Sequence, residues 1–97
     1  MGEPSSRAEA AALAERALAM TEERLGRLPA GALHDMHSSI RLQLEFMHRT
    51  AAAGGVPTVA EKNSLSLGVI AVREFESTDV TYCDAICDAV YAFEKLA

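Results

Sequence analysis

The chain has 97 residues, 49% of them hydrophobic and 24% charged, with a formal net charge of −5. That length holds one domain with a modest core, and the composition is globular rather than disordered. The acidic balance offers no basic stripe for phosphates, which argues against nucleic acid as a partner, and no apolar run approaches the roughly 18 residues of a membrane span.

Many Ala, Leu, Glu and Arg residues with few β-branched ones point to an all-α chain. The start, MGEPSSRAEA, lacks the apolar region of a secretory signal. Gly2 and Ser6 match a myristoylation pattern that Pro4 interrupts. A first helix is expected from Ser6 to Leu28, with Ser6 and Glu9 as a capping box. Its main stripe reads Ala11, Ala14, Leu18 and Leu25, with Leu13, Ala17, Met20 and Leu28 beside it. Residues 1–10 bring only alanines to the core and are expected to fray. Pro29, Ala30 and Gly31 close the helix with a short turn.

A second helix is expected over Ala32–Ala52. Leu33, Met36, Ile40, Leu44 and Met47 recur at three and four, an amphipathic signal. Gly54 and Gly55 stop it, and Pro57 prevents its continuation. Thr58 and Glu61 then form a second capping box, opening a third helix over Val59–Phe75. In that stretch Leu65, Leu67 and Val69 alternate as in a strand, but the four consecutive apolar residues 69–72 cannot share one strand face. Read as a helix, Leu65, Val69 and Val72 make one stripe, with Leu67, Ile70 and Ala71 beside it. So apolar a circumference predicts a central helix with neighbours on more than one side. Gly68 within it suggests a close helix crossing. A fourth helix starts at Asp79, a good N-cap, and buries Tyr82, Ile86, Val90 and Phe93 while Asp84, Asp88 and Glu94 face out. Short loops favour antiparallel neighbours, so the expected fold is a single-domain, antiparallel four-helix bundle over residues 1–97.

Motifs for chemistry are sparse. His34, His37 and His48 lie on the second helix near Asp35 and Glu45, but no Glu-x-x-His pair occurs, and surface or interface histidines explain them better than a metal site. Ser38, Ser39, Ser64 and Ser66 show no strand-to-helix elbow, and AAAGGVP reads as a linker rather than a phosphate loop. Glu74 and Glu76 need a pocket to act as an acid–base pair. Cys83 and Cys87, four apart on one helix, read as small buried residues and free thiols of a reducing cytosol. The last helix is the acidic one, with Asp79, Asp84, Asp88 and Glu94 against Lys95 alone. That balance fits a basic protein partner or simply a solvated surface.

The segments RALAMTEERLGRLP (16–29), IRLQLEFM (40–47), LSLGVIAVREFESTD (65–79) and DAICDAVY (84–91) resemble the small helical immunity proteins of bacterial type VI secretion toxins. The resemblance is strongest to the immunity partner of a toxin that degrades NAD⁺ and NADP⁺. It implies a cytoplasmic antitoxin that binds the C-terminal domain of a cognate toxin and occludes its active site, with no catalysis and no cofactor of its own. The alanine-rich start and the cysteine pair lie outside it. On this reading Arg73, Glu74, Glu76 and Asp79, with His37 and Arg41 from the exposed side of the second helix, form much of the toxin-facing surface. Two other classes stay open: a helical adaptor or homodimer without a toxin partner, and a small metal- or ligand-binding bundle.

Overall fold

A computed structural model describes residues 3–96, without the side chains of residues 3–5 and 64. Among the described residues five helices follow in order: α1 (Glu3–Leu25), α2 (Ala32–Ala52), α3 (Val59–Ser64), α4 (Leu67–Phe75) and α5 (Val80–Glu94). They form an all-α, four-helix bundle in which α3 and α4 together fill the third position. α1 lies against α2 and α5, and α4 lies against α5. Neighbours run antiparallel: the end of α1 meets the start of α5 through Arg24 and Asp79, and Lys62 of α3 reaches the Glu94 and Leu96 carbonyls at the far end of α5. The body measures 43 × 24 × 21 Å.

α2 has the expected bounds, and its end follows from Gly54. That residue has φ of 77°, a left-handed conformation natural to glycine. The Gly54 N–H donates to Ala51 O at 3.1 Å and the Gly55 N–H to Thr50 O at 2.9 Å, a Schellman closure. The Thr58–Glu61 capping box also forms as expected. α1 departs from expectation at both ends. It is helical from Glu3, so Ser6 lies inside the helix rather than at its cap, and it stops at Leu25, where Gly26 begins a tight turn. Gly2 lies outside the described residues.

The buried row of α1 is Ala10, Ala14, Ala17 and Thr21, while Leu13, Leu18 and Leu25 are half-buried flanks. Alanine lets α1 sit close to its two neighbours, and the bulk comes from them: Ile40, Leu44 and Met47 of α2, and Tyr82, Ile86 and Phe93 of α5. Phe46 packs edge-on to Phe93 at 5.9 Å between ring centres.

The third expected helix is broken. Leu65 is extended (φ −79°, ψ 132°) and ends α3, while Ser66 is the N-cap of α4. The break is held from α2: Gln43 Oε1 accepts the Ser66 N–H at 2.9 Å, and Gln43 Nε2 donates to Ser66 Oγ at 3.2 Å. The side-chain amide thus satisfies a helix-end donor that a continuous helix would not leave open. The break rotates α4, so its buried row is Leu67, Ala71 and Phe75. Val69 and Val72, expected inside, are 65% and 46% exposed. α4 is therefore a peripheral helix, not a central one. No atom beyond its own stretch of helix lies within 4 Å of a Cβ placed on Gly68, so that glycine marks no close crossing.

Candidate functional site

One pole of the bundle gathers the end of α1, the start of α2, the end of α4 and the start of α5. Asp79 is the N-cap of α5, its Oδ1 accepting the Tyr82 N–H at 3.4 Å. The same carboxylate takes two hydrogen bonds from Arg24: Nε to Oδ2 at 2.9 Å and Nη2 to Oδ1 at 3.2 Å. A bidentate guanidinium–carboxylate pair fixes orientation as well as distance. Arg24 Nη1 also donates to Met20 O at 3.1 Å, and the guanidinium carbon stands 4.4 Å from the centre of the Tyr82 ring. The Arg24 hydrogen bonds hold the Asp79 carboxyl below its ordinary value against the opposing effect of partial burial, and the Tyr82 N–H adds to the lowering.

Beneath this pair lies a buried polar chain. Thr21 and Tyr82 are fully buried, with 2.6 Å between Thr21 Oγ1 and the Tyr82 hydroxyl, and Thr21 Oγ1 lies 2.8 Å from Ala17 O. A carbonyl only accepts, so the threonine proton goes to Ala17 and the tyrosine hydroxyl donates to Thr21. Burial pushes the Tyr82 phenol above its ordinary value, while the Thr21 bond and the Arg24 charge pull it back. His37 completes the layer. Its ring lies 5.7 Å from that of Tyr82 and nearly parallel to it, and edge-on to Phe75 at 5.5 Å. By the same reasoning His37 Nδ1 carries the proton donated to Leu33 O at 2.8 Å.

Above the chain opens a cleft of about 370 Å³, with Phe75 and Leu28 in its lining and Arg27, Leu33 and Thr78 around it. Its charged groups are already engaged, Arg24 by Asp79 and Arg27 by Glu23 at 4.0 Å. The pole is chemically a clasp. It fixes four helix ends relative to each other and leaves a rim facing solvent. Among the described residues, no three His, Cys, Asp or Glu side chains are grouped so as to hold a metal ion. Cys83 is buried and Cys87 half-buried, both are free, and burial with the neighbouring Cys83 thiol pushes Cys87 up to about 11.

The structure brings together four of the six residues expected at the surface. Arg73, Glu74 and Glu76 are exposed at the end of α4, and Asp79 follows across a short turn. Arg73 Nε is 3.3 Å from Glu74 Oε2. Asp79 is there as a cap and ion-pair partner. His37 is a correction: it is 4% exposed and belongs to the core layer, because its ring stacks on Tyr82 and its Nδ1–H has a backbone partner. Arg41, one turn after His37 on α2, is half-buried, and its Nε has no hydrogen-bond partner. Arg24, Thr21 and Tyr82 were not singled out as functional by sequence. The only local signal was a basic residue in the last turn of a helix, which is common.

No helix among the described residues is long and apolar enough to cross a membrane. Comparison with curated proteins and with solved structures gives no significant match. The family model Tsi6, by contrast, matches residues 9–95, from the second turn of α1 to the last residues after α5. The match takes in every helix of the bundle and the whole of the clasped pole, and the chain belongs to the Tsi6 family of type VI secretion immunity proteins.

Proposed function

We propose that this chain is a cytoplasmic antitoxin that binds the C-terminal domain of a cognate secreted toxin and occludes its active site. The observation that carries this reading is a family match over nearly the whole bundle, joined to an exposed charged corner beside a rigid pole. Rigidity matters for an inhibitor. A surface already held in its bound shape loses little conformational entropy on association. The contact residues proposed are Arg73, Glu74 and Glu76 on the end of α4. Asp79 acts beneath them as the clasp that sets where α4 ends and α5 begins. The toxin is proposed to consume NAD⁺ or NADP⁺, or to act on another nucleotide. The support for this is the resemblance of segments 16–29, 40–47, 65–79 and 84–91 to the immunity partner of such a toxin.

The test uses the toxin domain encoded beside this chain. Co-expression should restore growth, keep cellular NAD⁺ at its untreated level and yield a complex that survives purification. Charge reversal at Glu74 and Glu76 together should weaken the complex by more than about 1 kcal/mol. Growth arrest that persists with the chain present, and no complex, would rule out immunity. Rescue with NAD⁺ unaffected by the toxin alone would retain immunity and reject NAD⁺ as the substrate.

A further inference from the structure

The outward face of α4 carries an apolar row that the fold does not use. Leu67, Ala71 and Phe75 are 0%, 0% and 7% exposed and, with the half-buried Ile70, pack α4 on the core. On the opposite side Val69, Val72, Arg73 and Glu76 follow one another at helical spacings of three, one and three, and so share a stripe. Val69 is 65% and Val72 46% exposed. Leu65, four residues before Val69 in the chain, lines with Leu42, Gln43, Phe46 and Glu61 a groove of about 260 Å³ between α2 and α3. Leu42 is itself 62% exposed. The tail of the stripe is acidic, because Arg73 is engaged by Glu74 and Glu76 sets the remaining sign. Exposed apolar side chains with a charged end have the composition of an interface core with a polar rim.

We propose that this stripe and groove dock an apolar segment of the toxin domain, with aliphatic or aromatic side chains over Leu42, Leu65, Val69 and Val72 and a lysine or arginine against Glu76. The inference rests on the immunity reading and names the part of the surface that would supply its apolar contact. A second copy of this chain fits the face poorly. Paired antiparallel about a two-fold axis, each copy would lay its Glu76 carboxylate on the other's apolar head; paired parallel, the two Glu76 carboxylates would meet. A copy also brings a further net charge of −5 to the contact. A basic-ended apolar segment meets neither cost, and its charge is complementary.

The test is affinity for the purified toxin domain, by titration calorimetry, of the full chain and three variants: Val69→Gln/Val72→Gln, Leu42→Gln and Tyr91→Gln. The replaced side chains are exposed in the free protein, so thermal melting should be unchanged and a lost affinity is not lost folding. The double variant should bind roughly 30-fold more weakly and Leu42→Gln roughly tenfold, with Tyr91→Gln, on α5, unchanged. Wild-type affinity in both the double variant and Leu42→Gln would overturn the proposal while leaving immunity intact. So would a wild-type dimer that Val69→Gln/Val72→Gln dissociates, since the face would then belong to a second copy. Absence of binding by the wild-type chain would overturn the immunity reading itself.

Discussion

Asp79 does two jobs that can be separated by substitution. As N-cap of α5 its carboxylate accepts the Tyr82 N–H, and as partner of Arg24 it takes the two guanidinium hydrogen bonds. Losing a cap costs about 1 kcal/mol, and asparagine caps nearly as well as aspartate. The ion pair is worth more than an exposed one, because Arg24 retains only 17% side-chain exposure, but Asp79 keeps 33% and water discounts it. About 1 to 1.5 kcal/mol is reasonable for a bidentate, half-screened pair. Asp79→Asn should therefore lower stability by about 1 to 1.5 kcal/mol and Asp79→Ala by about 2 to 2.5 kcal/mol. For a domain of this size that is roughly 5–10 °C and 10–15 °C in Tm. Urea unfolding at pH 7 measures both, and a cycle with Arg24→Ala should return a coupling near 1 kcal/mol. The pH dependence has a definite sign. The folded carboxyl lies below its unfolded value, so this stability is present above about pH 4 and is lost as pH falls through the folded value. Two equal variants, or a coupling of zero, would refute the division of labour between cap and ion pair.

Thr21→Val strands the buried Tyr82 hydroxyl and should cost about 2 kcal/mol, whereas Tyr82→Phe leaves Thr21 its Ala17 carbonyl and should cost about 1 kcal/mol or less. The double variant should then lose less than the sum, in chemical denaturation. Gln43→Ala removes both bonds to Ser66 and should cost about 1 kcal/mol, with faster amide exchange at the first turn of α4 as its local signature. The Cys87 thiol, raised to about 11, should react slowly with Ellman's reagent at pH 8 and speed up only as pH approaches that value. The stability it contributes is complete below the unfolded thiol value and is lost as pH rises through about 11.

What could be read from the chain depended on where each signal lives. α2 was legible because its bulky apolar residues repeat at helical spacing and Gly54 marks its end. Thr58 and Asp79 were legible because capping is a local contact. The break at Leu65 and Ser66 was not, because the amide that holds it comes from Gln43, 23 residues away. With the break unseen, the stripe of Leu65, Val69 and Val72 was assigned inward, although Leu67, Ala71 and Phe75 have the same periodicity. The core row of α1 was displaced for a different reason: alanine scarcely distinguishes one helix face from another, and the leucines beside it proved to be flanks. At the site, the charged corner of Arg73, Glu74 and Glu76 was visible as a cluster. His37 was misplaced because its stacking partner is on another helix, and Arg24 was missed because its partner is 55 residues away.

The alanine row of α1 has a consequence for how such a molecule can change. Ala10, Ala14 and Ala17 set the separation of three helices with single methyl groups, so almost any larger residue there acts as a wedge that pushes the bundle apart. The valine row of α4 carries no such duty. Its side chains can be exchanged without moving any helix axis, and the gauge that keeps the fold and the face that meets the outside world are built on different helices. The exposed face of α4 can therefore change its sequence while the spacing of the bundle stays as it is.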